Sequence, residues 1–347
     1  MGATAIPAER HDGVDRARAE MFAAFVGELN RAEVTYCLLS GYENYPEPND
    51  TDVDFMVGLN DAVRVPRVLR AAARQTGASL VQVLQHETTA WYFVLAKQVG
   101  SRVAYLHPDC STDYRREGRL WLRSREVLMG RRRLGKTFVP AKPDEFVYYV
   151  IKKVLKQEID EAQLHRLKNL YVASPEECAA RMRRFWSAKS VSAFVSAMLS
   201  GNVWRVKWEM PALLGELQTS PRIGELVPRA IQRVHEGRRL AQRVIRPTGL
   251  VVCISGGSGQ QRDALAAGLE ANLRPAFRRT TIIDAPSIAS SIRHWVERVR
   301  STLVIRKIAA PSGSALERHQ LCFELSGVSP DLVFTTRIAL KSMAGRV

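Results

Sequence analysis

No stretch of the sequence stays apolar for the roughly 20 residues needed to cross a bilayer, and residues 1–18 are polar and charged with no apolar signal core. A cytoplasmic protein with no membrane span is therefore expected. Cysteine is sparse: Cys37, Cys110, Cys178, Cys253 and Cys322 are odd in number, scattered and mostly inside apolar runs, so reduced core thiols are expected in place of disulfides or a zinc site. The histidines form no cluster with ligand spacing. Aromatic residues do not interleave with the basic ones, so the signature of RNA-reading sheets is missing. Acids are in deficit. With 35 Asp and Glu against 51 Lys and Arg, a formal charge of +16 favours a polyanionic partner, which includes nucleoside triphosphates, nucleic acid, and anionic saccharides or lipids.

What is present is a globular composition, 46% apolar over 347 residues, enough for two or three domains. The chain is organised around Tyr36-Cys37-Leu38-Leu39-Ser40-Gly41 and, after a polar, proline-containing loop, Asp52-Val53-Asp54-Phe55-Met56-Val57. Residues 34–39 and 53–57 are short apolar, β-rich runs bounded by turn residues and read as strands of a covered sheet. Strand side chains alternate faces, so Asp52 and Asp54 point the same way, about 6–7 Å apart, while Val53 turns to the core. Two like charges side by side require a cation or a proton, which implies Mg²⁺ binding or one raised pKa. A calcium loop over residues 50–54 is excluded, because its sharp-turn position holds Phe55 where glycine is needed.

Ser40-Gly41, the loop 42–51 and Asp52-Val53-Asp54 resemble the polymerase-beta-like nucleotidyltransferases. Gly41 is followed here by Tyr42, and the serine precedes the glycine. The resemblance implies that Ser40 and Gly41 approach a nucleoside triphosphate, that Asp52 and Asp54 hold two Mg²⁺ ions, and that a third acid from a neighbouring strand completes the site. That acid falls near the end of a strand running through residues 102–107, the second arm of a hairpin closed at Val99-Gly100-Ser101. Asp109 is the first choice and Asp113 the alternative, since Asp113 also suits a cap on the following segment. His107 lies beside them.

Other elements follow from periodicity. Phe22, Phe25, Val26 and Leu29 mark an amphipathic helix before the first strand, and a helix capped by Asn60 and ended at Gly77 is expected after the second. Strands are expected at 79–85 and 90–97, and a helix at 120–129. Gly130 to Thr137 matches a phosphate-loop pattern formally, but the strand that should precede it and the helix that should follow are missing, so it reads as a basic turn. From Asp144 onward the pattern is helical. Phe146, Val147, Val150, Ile151, Val154 and Leu155 form one stripe, flanked by Lys152, Lys153 and Lys156. In two-domain relatives of the resembled family a helical domain forms the second wall of the cleft, which implies that Lys152 or Lys153 meets the triphosphate. Helices continue through 191–199 and 228–245.

The segment from Leu250 opens as a strand and a glycine-rich turn, residues 250–263, followed by a helix over 264–273. It resembles thymidylate-kinase-like P-loop proteins. Gly256 and Gly259 remain, but Gln261 stands at the last glycine, Arg262 at the lysine, and Asp263 at the Mg²⁺-binding hydroxyl. An acid beside phosphates repels them and a side chain at the last glycine obstructs the backbone, so kinase activity is not expected. The acid before Arg306 is also missing.

The fold class expected is thus an α+β nucleotidyltransferase-like domain over 15–142, a helical domain over 143–246 and a degenerate α/β P-loop kinase-like domain over 247–347. The activity implied is Mg²⁺-dependent transfer of NMP from an NTP to an acceptor hydroxyl with release of pyrophosphate. The alternative is a non-catalytic nucleotide-binding scaffold. Neither the acceptor, the base preference nor the oligomeric state is legible.

Overall fold

The computed structural model describes residues 9–47, 52–100, 102–116, 119–219, 226–245, 249–255, 259–277, 279–285, 302–308 and 320–324. It is a mixed α and β structure. The chain begins with helix α1 (Glu9–Arg31), strands β1 (Tyr36–Leu38) and β2 (Val53–Val57), a 3-10 turn (Ala62–Arg64) and helix α2 (Val65–Thr76). α2 starts later than the Asn60 cap implies, because Pro66 suits only a first turn; Gly77 ends it in the left-handed region, as expected. Next come β3 (Ser79–Glu87), β4 (Ala90–Val99), β5 (Arg102–Leu106) and β6 (Pro108–Ser111).

These strands form one sheet in the order β1-β2-β6-β4-β3, with β5 beside the far end of β4. The pair β2/β6 is parallel and the other pairs are antiparallel. The expected second arm of the hairpin is in fact two strands, broken at His107. Pro108 has no N–H to donate, so it can only open a new strand. That break carries β6 in beside β2, placing Asp109 inside the sheet and not at a strand end.

Strand alternation divides the sheet into two faces. On one, Leu38, Val53, Phe55, Phe93, Leu95 and Cys110 pack on α1 and α2; Phe25 meets the edge of Phe55 at 5.1 Å between centroids. The other face has two apolar ends and a polar middle. Cys37, Leu39 and Met56 belong to the β1/β2 end and Val81, Val94 and Ala96 to the β3/β4 end, while Asp54, Asp109 and Tyr92 occupy neighbouring positions between them.

Each apolar end is covered by a different body. After β7 (Tyr114–Arg116), β8 (Arg119–Leu122), α3 (Ser124–Met129), and the hairpin β9 (Arg132–Leu134) and β10 (Thr137–Val139), the helices α4 (Lys142–Lys156), α5 (Glu161–Val172), α6 (Pro175–Met182), α7 (Ala188–Leu199) and α8 (Val203–Thr219) gather on the β1/β2 end. One correction belongs here: the helix expected over 120–129 begins as strand β8, which pairs with β7. α8, with Pro211 inside it, falls within the helical stretch expected over 143–246. The segment 130–137 is a β-hairpin turning at Gly135, φ 58°.

The β3/β4 end is covered by the last segment, which follows α9 (Leu226–Ile245): β11 (Leu250–Ser255), α10 (Gly259–Leu273), β12 (Arg279–Ala285), β13 (Thr302–Ile308) and β14 (Gln320–Glu324). Its sheet runs β12-β13-β11-β14, parallel except for β14. Leu250, Val252, Ile254, Leu269 and Phe277 join Val81, Val94, Ala96 and Tyr105 in one apolar cluster, and Tyr105 donates its hydroxyl proton to the Asn272 carbonyl at 2.6 Å. Among the described residues no helix is long and apolar enough to cross a membrane.

Candidate active site in the sheet cleft

The uncovered middle of the sheet is the floor of a cleft of about 1270 Å³. Asp54 and Asp109 sit there as direct partners across the parallel β2/β6 pair, so their side chains leave the same face. Asp52 precedes Asp54 by two residues and lines the same cleft. Exposure separates them: the side chain of Asp54 is 16% exposed and that of Asp52 48%, placing one deep and the other at the mouth.

Each carboxylate has its own support. Asp54 Oδ2 accepts the Ser40 hydroxyl and pairs with the Lys152 ammonium, and the Asp54 carbonyl accepts the N–H of Leu39 at 2.7 Å. Asp52 Oδ1 accepts from the Tyr92 hydroxyl at 3.4 Å and lies 3.7 Å from His107 Nδ1. Burial, reinforced by the charge on Asp54, pushes the Asp52 carboxyl above the usual range, against the pull of His107, Tyr92 and Lys152. His107 is itself stacked against Tyr92 and Tyr105, with centroids 5.7 and 6.1 Å away. Asp109 Oδ1 is 3.8 Å from His86 Nε2.

Gly41 turns the chain at the end of β1 with φ 80°. A Cβ there would lie 3.4 Å from the Asp52 carbonyl oxygen and from Val53 Cα, within ordinary contact, so it is the positive φ that calls for glycine. Asp113, the alternative third acid, is turned to another task. Its Oδ1 accepts the Ser124 N–H at 2.9 Å and the Ser124 hydroxyl at 3.2 Å, capping α3.

The opposite wall comes from α4 and α5. Lys152, Lys153 and Lys156 all line the cleft; Lys153 lies over the Tyr149 ring at 5.2 Å, and burial with Lys152 and Lys156 nearby lowers its pKa. The wall is locked to the loop after β1 by a buried clamp absent from the expectations above. Glu145, 1% exposed in the first turn of α4, accepts from Tyr42, from Arg166 at 3.0 Å and from Arg132 at 3.4 Å. Arg166 also pairs with Glu43 and lies 4.6 Å from the Tyr149 ring centre. Burial, with the Glu145 charge adding, raises the Tyr42 phenol. In sequence Glu145 reads as an ordinary helix-start acid and Arg166 as a solvated helix position, which is why neither stood out.

A hard-oxygen donor set suits Mg²⁺, and the ammonium against Asp54 shows that this oxygen accepts a cation. Among the described residues no three His, Cys, Asp or Glu side chains are drawn close enough to hold a metal ion as they stand. Elsewhere, Gly256 lies outside the described residues, Gly259 opens α10, and Arg262 follows within its first turn. α10 begins five residues before the helix expected from 264, so Asp263 is helical, and it accepts from Lys307 of β13 at 2.5 Å.

No family model and no curated protein matches the chain. Among solved structures, the crystal structure of JHP933 from Helicobacter pylori is similar at 10% identity, covering 69% of this chain and 100% of that one, with a TM-score of 0.29. A likeness of that size carries no argument about fold or function.

Proposed function

We propose that the chain is a Mg²⁺-dependent nucleotidyltransferase that moves NMP from an NTP to an acceptor hydroxyl. In this reading residues 15–142 are the nucleotidyltransferase-like domain, 143–246 its helical wall, and 247–347 a degenerate thymidylate-kinase-like P-loop domain that backs the catalytic sheet. The observation that carries the proposal is the pairing of Asp54 with Asp109 across β2/β6 on the polar strip of the sheet face described above, in the cleft that the α4 lysines also line. Asp52, Asp54 and Asp109 are the residues that would hold the metal. Two Mg²⁺ ions bound by them would activate the acceptor oxygen and neutralise the departing pyrophosphate.

The chain's own groups supply the rest. Lys152 and Lys153 would bind the triphosphate, Lys152 from its place beside Asp54. Ser40 keeps Asp54 oriented, while Tyr92 and His107 hold Asp52 and His86 stands beside Asp109. The acceptor oxygen forms a bond to the α-phosphorus, the bond from that phosphorus to the bridging oxygen of the β-phosphate breaks and pyrophosphate leaves with that oxygen, and the hydroxyl proton passes to solvent water.

The scaffold reading is favoured by one observation, the Lys152 ammonium already seated on Asp54. Incubation with Mg²⁺ and α-labelled ATP separates the two. Pyrophosphate release with label retained on an acceptor or on AMP supports transfer, whereas Mg²⁺-dependent ATP binding without pyrophosphate supports the scaffold.

A further inference from the structure

The cleft holds more cationic groups than a triphosphate on α4 uses. Past Asp109 the chain enters β7, where Tyr114, Arg115 and Arg116 all line the cleft although they are consecutive. Consecutive strand residues normally face opposite sides. Here the pairing slips between Tyr114 and Arg115: Tyr114 is opposite Leu122 and Arg115 opposite Leu120. The residue left over is Trp121 of β8, and regular pairing resumes at Arg116 opposite Arg119, so the bulge lies on the strand that faces the two arginines.

Arg115 is poorly satisfied for a half-buried guanidinium. Its side chain is 19% exposed, its Nε is buried with no hydrogen-bond partner among the described residues, and its nearest acid, Asp113 Oδ2, is 3.8 Å from Nη2. That spacing is a loose ion pair and not a hydrogen bond, and the other oxygen of Asp113, Oδ1, is held by Ser124. The cleft also holds carboxylates, Glu87 and Asp113 among them, but none makes a hydrogen bond to the buried Nε of Arg115, and a planar fork with a donor left over suits a phosphate or carboxylate.

The pair is also set apart from the triphosphate wall. Tyr114 meets Tyr148 edge-on at 5.1 Å, and the Lys152 ammonium lies 5.8 Å from the Tyr148 ring. The contact thus runs from Tyr114, next to Arg115 in β7, through the edge-on Tyr148 ring to Lys152 of α4, with Asp54 and Asp109 lining the same cleft.

We infer that Arg115 and Arg116 form a second anion subsite, and that the acceptor is a small hydroxyl compound carrying its own phosphate. The acceptor assignment rests on the nucleotidyltransferase reading; the anion subsite does not.

Both halves are tested on the full chain. Inorganic phosphate is titrated calorimetrically into the wild type, into K152Q/K153Q/K156Q, and into that variant with R115Q/R116Q added. The lysine variant is expected to retain phosphate binding, and the added arginine changes to weaken it about tenfold to a hundredfold, the range for losing charged hydrogen bonds. If the lysine variant does not bind phosphate, or binds it equally well after R115Q/R116Q, the subsite is overturned. Should R115Q/R116Q unfold, R116Q alone, at a half-buried position, must show the weakening.

Pyrophosphate release is then compared with ribose and with ribose 5-phosphate as acceptors. The phosphorylated sugar is expected to be the better acceptor, with its KM raised about tenfold by R116Q and the KM for ATP unchanged. Equal use of both sugars overturns the acceptor class while leaving nucleotidyl transfer standing. Phosphate binding lost with R115Q/R116Q in a protein that releases no pyrophosphate from any acceptor or water upholds the subsite and removes the enzyme.

Discussion

The ammonium of Lys152 rests on Oδ2 of Asp54, the same oxygen that accepts the Ser40 hydroxyl. A side chain from the helical wall thus offsets the charge of the most buried of the three site acids and competes with any other cation for that oxygen. Lys152→Gln is expected to bind Mg²⁺ roughly tenfold more tightly without nucleotide, because a competing charge is gone. The same change raises the KM for ATP. Calorimetric Mg²⁺ titration and pyrophosphate release measure the two effects; unchanged values for both would separate Lys152 from the site.

Glu145 joins three donors that come from three different elements. Tyr42 belongs to the loop after β1, Arg132 to β9 and Arg166 to α5. Glu145→Ala leaves a buried guanidinium with Glu43 as its remaining acid, and is expected to cost about 3 kcal/mol in urea unfolding, near the lower range for breaking a buried pair. A loss under about 1 kcal/mol would mean the clamp holds nothing.

Gly41→Ala forces a side chain into the left-handed region, in contact with the backbone of Asp52 and Val53. A destabilisation of about 1–2 kcal/mol is expected, together with slower transfer, because the strained turn abuts the backbone that carries Asp52 and Asp54. Urea unfolding reads the first and pyrophosphate release the second.

Asp144, in the first turn of α4, has its carboxyl raised above the usual range by burial, against the pull of Arg181 and Arg184. A folded-state pKa above the unfolded one means that the folded protein holds the proton more tightly. The stability this supplies is complete below the unfolded pKa and is lost as pH rises through the raised value. Asp144→Asn cannot ionise, so its stability is expected to gain on that of the wild type across this window. Parallel urea curves from acid to neutral pH check the sign, and a variant that loses ground to the wild type as pH rises would contradict it.

Much of this arrangement was legible because it depends on local pattern. The alternation through Asp52, Val53 and Asp54 fixed which residues turn away from α1 and α2, and the stripe from Phe146 to Val154 fixed α4 with its lysines. The in-register partnership of Asp54 and Asp109 was not legible. It depends on Pro108 breaking a strand, so that β6 leaves the line of β5 and slots beside β2, and no periodicity reports a change of partner. The Glu145 clamp and the Arg115–Arg116 pair stayed hidden for a related reason. Each is built from residues ordinary in their own element, brought together by contacts more than a dozen residues apart or by a slipped register. The kinase-like reading of the last segment met a parallel sheet around β11 and β13, while its Gly256 and the stretch after β14 lie outside the described residues.

The central claim is that the paired acids of β2 and β6 carry nucleotidyl transfer. It is tested most directly by pyrophosphate release from ATP and Mg²⁺ in the wild type, Asp54→Asn and Asp109→Asn, with circular dichroism confirming that all three fold. The wild type is expected to release pyrophosphate and each variant to lose it by about 10²–10³-fold or more, the scale of removing a pre-organised charge contact. Turnover in either folded variant equal to that of the wild type, or none in the wild type with any NTP, would contradict it.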